Sequence, residues 1–225
     1  MAKKKAKQDA RDAPGFSWRI FRIMAEFVDG FEFLTDMKRT VTFFGSARTS
    51  KTSKHYQQAV SLAEQLSKAG FNVITGGGPG IMEAANKGAS KGKGGSAGLN
   101  IQLPFEQRMN KYVKRGLGFH YFFTRKVILS YSAQAYVYFP GGFGTLDEFF
   151  EIVTLIQTKK MDPIPIILIG KDYWNPLIAW IKETVLLDHK AIDPEDLNFF
   201  MVTDDIKKAF RIIKKSKERP PLFSE

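Results

Sequence analysis

From Ser17 to about Met37, Trp18, Phe21, Ile23, Met24, Phe27, Val28, Phe31 and Leu34 recur at three- and four-residue intervals, which predicts one or two amphipathic helices. After Arg39 the spacing changes. Val41–Phe44 is a short apolar run that ends in Gly45-Ser46, a strand and its exit loop. Tyr56, Ala59, Val60, Ala63 and Leu66 mark a helix closed by Gly70. Phe71–Ile74 reads as a second strand leaving into Gly76, Gly77 and Gly78, with a helix through Met82, Ala85 and Ala89 behind it. Ser96–Leu103 is a third strand. Phe119–Ala133 has helical spacing, and Ala135–Phe139 is an apolar strand that enters Pro140-Gly141-Gly142-Phe143-Gly144. Thr145–Lys159 is predicted helical, Pro165–Ile169 a strand, and Asn175–Leu187 and Asp204–Lys217 two further helices.

Short apolar strands that alternate with helices belong to a parallel sheet covered on both faces. The expected fold is therefore α/β, a doubly wound and mostly parallel sheet, with an N-terminal helical extension. The expected organisation is a disordered basic tail over 1–15, the helical extension over 16–38, one α/β domain over 39–218, and a C-terminal tail over 219–225. At 225 residues, 44% of them hydrophobic, the chain suits one such domain with a full core.

Charge and composition narrow the chemistry. The formal net charge is +11, but five bases against two acids lie in residues 1–12 and seven against one in residues 207–219. The body of the chain is close to balanced, so the ends read as solubilising or non-specific anion-binding segments and not as specific nucleic-acid readers. There is no Cys and only His55, His120 and His189, which leaves no thiolate nucleophile and little for a metal centre, so neither metal nor cofactor is expected. No apolar run approaches the length of a membrane span, and the lysine-rich start lacks a signal-peptide core. The expected compartment is the cytoplasm, with no membrane partner.

In a doubly wound sheet, ligands sit beyond the carboxyl ends of the strands. Three exits here are rich in glycine, at Gly45-Ser46, Gly76–Gly80 and Gly141–Gly144. Tight strand-to-helix turns need glycine in any case. Three on one edge favour a phosphate-bearing ligand, received by backbone N–H groups and helix N-termini. The common nucleotide fingerprints fail. Gly76-x-Gly78 is followed by Ile81 where glycine is required, Gly142-x-Gly144 by Asp147, and Gly92-Lys93 by Gly94 where a P-loop has Ser or Thr. Lys190 after His189 imitates a pyridoxal-phosphate lysine, but Leu187 stands where that motif has Ser.

Gly76-Gly-Gly-Pro-Gly-Ile-Met-Glu-Ala-Ala-Asn86, Arg125-Lys126 and Pro140-Gly-Gly-Phe-Gly-Thr-Leu-Asp-Glu148 resemble the LONELY GUY family. Its members are cytokinin riboside 5′-monophosphate phosphoribohydrolases, long labelled lysine decarboxylases. The resemblance runs over about residues 40–187 and is closest to the longer bacterial branch. It implies a Rossmann-like domain and hydrolysis of the N-glycosidic bond of a nucleoside 5′-monophosphate, on cytokinin nucleotides or AMP. By position it makes Arg125 and Glu148 the catalytic pair. Gly142, Phe143, Gly144 and Thr145 become the phosphate cradle, and Lys126, Glu106 and Thr154 further substrate contacts; the glycine-rich strand exits themselves add Gly45, Ser46, Gly77, Gly78 and Gly141 as expected substrate-binding residues. It also implies a dimer or larger self-assembly, which the surplus of aromatics in 16–37 supports. The rival readings are an AMP nucleosidase without a hormone role and a non-catalytic carrier of a nucleotide or phosphorylated cofactor. Within the motif, Thr145-x-x-Glu148 also matches a capping box, in which Glu148 would only reach back to an N-cap amide.

Overall fold

The computed structural model describes residues 15–102 and 109–219. Seven strands form one sheet: β1 (Thr40–Phe44), β2 (Asn72–Thr75), β3 (Ser96–Ile101), β4 (Arg115–Phe119), β5 (Ala135–Tyr138), β6 (Ile166–Ile169) and β7 (Phe200–Thr203). Every pairing is parallel, and the order is β4-β3-β2-β1-β5-β6-β7. The order reverses between β1 and β5, which pair directly with Phe44 opposite Tyr138. Such a reversal splays the two following connections to opposite faces and opens a crevice at the strands' carboxyl ends.

The helices are α1 (Gly15–Thr35), α2 (Lys54–Lys68), α3 (Ile81–Ala89), α4 (Phe122–Tyr131), α5 (Phe143–Gln157), α6 (Lys171–Trp180) and α7 (Ile206–Lys214). A π-helical stretch, Ile181–Asp188, prolongs α6, and a 3-10 turn, Pro194–Asn198, precedes β7. Side chains alternate across the sheet, so each strand serves two cores. Val41, Phe43, Val137 and Ile167 face α2, α3 and α7, whereas Phe44, Tyr136, Tyr138 and Leu168 face α1, α4, α5 and α6. Among the described residues, no helix is long and apolar enough to cross a membrane.

The doubly wound α/β expectation holds, and the sheet is parallel throughout. Two edge strands were not anticipated. β4 is Arg-Gly-Leu-Gly-Phe, with little apolar content and three exposed positions, and β4 claims Phe119, so α4 starts at Phe122 and not at 119. β7 is a four-residue edge strand. The expected helix over 145–159 begins two residues earlier, because Phe143 and Gly144 already form the first turn of α5.

α1 is one continuous helix and is built into the domain. Phe33 and Leu34 are buried in the second core, and a Cβ on Gly30 would lie 2.5 Å from Ile128 of α4. Its Glu26 carboxylate accepts from the amides of His120 (2.8 Å) and Tyr121 (3.3 Å) and from the Thr124 hydroxyl (2.6 Å). This matters because α4 has no side-chain cap of its own. An anion there satisfies orphan N–H donors and opposes the helix dipole. Trp18, Phe21, Met24 and Val28 remain exposed along the outer face of α1. At the other end Arg219 is docked, donating to the Ser130 carbonyl at 3.0 Å. Of the expected tails over 1–15 and 219–225, residues 1–14 and 220–225 lie outside the described residues, while Gly15 already belongs to α1 and Arg219 is held against Ser130.

Candidate active site

The crevice between the β1 and β5 exits holds a cavity of about 940 Å3. Gly45 and Ser46 wall it from the β1 exit, Gly76 from the β2 exit, and Gly141, Gly142, Phe143, Gly144, Thr145 and Glu148 from the β5 exit and α5. Arg125 reaches in from α4. The two principal loops are tied directly, since the Ser46 amide donates to the Pro140 carbonyl at 3.0 Å.

The first turn of α5 is open. Its N-cap is Gly142, with no side-chain cap, so its leading N–H groups face the cavity. A Cβ on Gly142 or on Gly144 would meet nothing within 4 Å, and neither has a positive φ. The fold itself therefore gives no reason for glycine at either position. Gly141 is different, because a Cβ there would come 2.1 Å from the Thr145 hydroxyl oxygen. The Tyr173 hydroxyl donates to the Gly141 carbonyl at 2.7 Å and holds the turn from outside.

Glu148 lies in the second turn of α5 and is only 4% exposed. The capping reading is thereby corrected: Gly142 is the N-cap, Thr145 is already the third helical residue, and Glu148 is too deep in the helix to reach back. Its backbone carbonyl accepts from the Tyr138 hydroxyl at 3.1 Å, which fixes α5 to β5. The carboxylate meets Arg125, with Nη2 3.9 Å from Oε1, while Oε2 is buried without a hydrogen-bond partner. Burial pushes the Glu148 pKa up to about 8, although Arg125 and Lys126 pull it down. Burial likewise lowers the Arg125 guanidinium, against the opposing pull of Glu148. Arg125 Nη1 donates to the Leu99 carbonyl at 3.4 Å, and Nε is buried without a partner. The pair is dry and under-satisfied, with groups left to receive a ligand.

Other expected site residues stand elsewhere. Lys126 is outside the cavity wall and bridges Asp147 and, at 3.2 Å, Glu151, which clasps α4 to α5 and so sets the Arg125–Glu148 approach. Burial presses its pKa down, but Asp147, Glu148 and Glu151 together raise it above the usual lysine value. Gly77 and Gly78 are buried behind the wall, their carbonyls each accepting from Asn110 at 3.0 Å. Thr154 is exposed two turns further along α5 and does not line the cavity. Glu106 lies outside the described residues. Lys190 is exposed and away from the cavity. Sequence reasoning missed Arg48, Thr49, Met82, Asn100, Ile101 and Tyr173. Arg48 and Thr49 follow Ser46 in the same strand exit, and that position was the available signal. Among the described residues, no three His, Asp or Glu side chains converge as a metal-ligand set.

A buried acid–guanidinium pair beside an open helix N-terminus, at the reversal point of a parallel sheet, defines a Rossmann-like protein with a cavity at the carboxyl ends of its strands. The chain belongs to the family described as "Possible lysine decarboxylase", that of the LONELY GUY proteins, whose profile matches residues 82–213. It is 31% identical over 156 residues to a rice (Oryza sativa subsp. japonica) protein named "Probable cytokinin riboside 5'-monophosphate phosphoribohydrolase"; the match covers 66% of this chain and 61% of the relative. It is 27% identical to a cytokinin riboside 5′-monophosphate phosphoribohydrolase of Arabidopsis thaliana, over 84% and 85% of the two chains. With the enzyme of that name from Rhodococcoides fascians it shares 23% identity over 78% and 89%. Its fold matches that of the molybdenum cofactor carrier protein of Chlamydomonas reinhardtii, with a TM-score of 0.60 at 21% identity over 79% and 97% of the chains.

Proposed function

We propose that this protein hydrolyses the N-glycosidic bond of nucleoside 5′-monophosphates, releasing the free base and ribose 5-phosphate. Cytokinin riboside 5′-monophosphates are the first substrate class and AMP the second. The observation that carries this reading is the nearly dry Glu148, paired to Arg125 and set one helical turn behind an open N-terminus whose glycines the fold does not require. The names of the relatives point the same way.

Breaking the C1′–N bond leaves positive charge shared between C1′ and the ring oxygen of the ribose. An ionised Glu148 beneath the ring stabilises that charge, the more so because its side chain is buried. Its Oε2 then takes a proton from the attacking water, whose oxygen bonds to C1′ while the base leaves with the C–N electron pair and gains a proton. Arg125 holds a sugar oxygen and favours the ionised form of Glu148 against the burial that raises its pKa. The first turn of α5 receives the 5′-phosphate. Self-association through the exposed face of α1 belongs to the same reading, and light scattering at micromolar concentration should find at least a dimer; a monodisperse monomer removes that part.

The deciding assay incubates the full chain with AMP and with an N6-prenylated analogue and separates the products by chromatography. Free base together with ribose 5-phosphate is expected. Tight binding with no base released would make the protein a carrier of a phosphorylated ligand. Cleavage of AMP alone would leave an AMP nucleosidase without a hormone role.

A further inference from the structure

We propose that Arg48 is the side-chain clamp for the substrate's phosphate, closing on it from the β1 exit while α5 receives it from the β5 exit. The proposal rests on the cavity being a site for a phosphorylated riboside. Among the described residues, three side chains with strong charge line the cavity: Arg48, Arg125 and Glu148. Arg125 and Glu148 answer each other at 3.9 Å. A phosphate monoester carries roughly −1.5 to −2 at neutral pH, and a helix N-terminus offers the equivalent of only about half a positive charge. The backbone cradle alone leaves about one negative charge unmet.

Arg48 is placed to meet it. Its guanidinium has no hydrogen-bond or ion-pair partner among the described residues. The other base of the same loop, Lys51, is already paired with Glu83 at 2.9 Å. The loop is firmly seated. The Ser46 amide donates to Pro140, the Ile81 amide donates to the Ser46 carbonyl at 3.0 Å, and a Cβ on Gly80 would come 2.2 Å from that same carbonyl oxygen. The Arg48 amide donates to the Ser46 Oγ at 3.0 Å. Because that oxygen accepts from Arg48, its own hydrogen is left to donate into the cavity. One short loop thus offers a hydroxyl and a fork of guanidinium donors opposite the α5 turn, the geometry suited to a tetrahedral oxyanion.

The test is calorimetric titration of ribose 5-phosphate, and of ribose as control, into the wild-type chain, Arg48→Ala and Arg48→Lys. Arg48 is exposed, so melting temperatures should coincide. Arg48→Ala should weaken ribose 5-phosphate on the order of tenfold or more, as loss of a charge-assisted hydrogen bond does, with Arg48→Lys between and ribose unmoved. In hydrolysis, AMP should lose the same factor through KM with kcat nearly constant, and adenosine should not respond. Wild-type affinity for ribose 5-phosphate in Arg48→Ala, or equal losses on AMP and adenosine, would overturn the clamp. A wild type that binds ribose 5-phosphate yet cleaves no nucleotide would sink the hydrolase reading alone, and the calorimetry would still decide for or against Arg48.

Discussion

Two of the glycine-rich loops leave β2 and β5, the strands on either side of β1, and they differ in what their glycines answer to. In the loop after β2 the glycines answer to the fold. Gly77 and Gly80 have positive φ, a Cβ on Gly80 would strike the Ser46 carbonyl, and the Gly77 and Gly78 carbonyls are held by Asn110. Asn110 is in turn bound to Asn86, which also accepts from Thr75 and donates to Ser96, so the loop is an internal polar joint. In the loop after β5, Gly142 and Gly144 answer to nothing inside the protein. Open space that the backbone does not require thus stands at the start of α5, where the proposed function puts the ligand's phosphate. Motif text alone treats the two loops alike; the space around each Cβ separates them.

The sharpest way to break this contrast is through the residue that the second loop delivers. Glu148→Gln should cut turnover at least on the order of a hundredfold, measured as base release under saturating substrate. The same variant should be at least as stable as the parent, which a mere cap would not be. The folded-state pKa of about 8 lies above the ordinary 4.5, so folding favours the protonated acid. That contribution is complete below about pH 4.5 and is lost as pH rises through 8. The melting-temperature gap in favour of the Gln variant should therefore widen from pH 6 to pH 9, and kcat/KM of the parent should climb with pH to a midpoint near 8. A flat profile from pH 6 to 9 would place the Glu148 titration outside that range and remove the raised pKa, leaving turnover of the Gln variant to decide the carboxylate's role.

Gly80→Ala comes next. Its φ of +65° and the 2.2 Å approach to Ser46 predict a stability loss of at least ~2 kcal/mol by denaturant titration. A variant as stable as the parent would erase the distinction between the loops. Gly144→Ala is the complementary case. Unfolding should shift by no more than about 0.5 kcal/mol, while affinity for ribose 5-phosphate drops on the order of tenfold from crowding of the anion. Should binding survive intact, the open space at Gly144 has no role in ligand approach.

The central strands could be read from the sequence because they are buried on both faces. Ala135–Phe139 and Pro165–Ile169 are continuous apolar runs and Val41–Phe44 is broken only by Thr42, and they fall on β5, β6 and β1 to within a residue. The edges were hidden for the converse reason: β4 has two glycines among five residues and half-faces solvent, so no apolar period marks it. The site was readable wherever the chemistry sits in a contiguous motif, as with Arg125, Glu148 and the Gly142–Thr145 turn. Arg48 comes from the β1 exit loop, Asn100 from β3 and Tyr173 from α6, and only the strand order brings them to one crevice. Lys126 shows the opposite failure. Its neighbour enters the cavity while Lys126, one position on and thus turned about the helix axis, faces Asp147 and Glu151.

Glu26 gives the N-terminal helix a temporal meaning. The carboxylate that caps the Arg125 helix is separated by 94 residues from the first amide it serves, and a chain made from its N-terminus presents α1 long before α4 exists. Until that long loop closes, the helix that carries the guanidinium starts uncapped, and closing a span of this length forfeits more chain freedom than any local cap would. The cavity's guanidinium thus rides on a helix whose cap is a contact across 94 residues, so the start of that helix depends on the docking of the first.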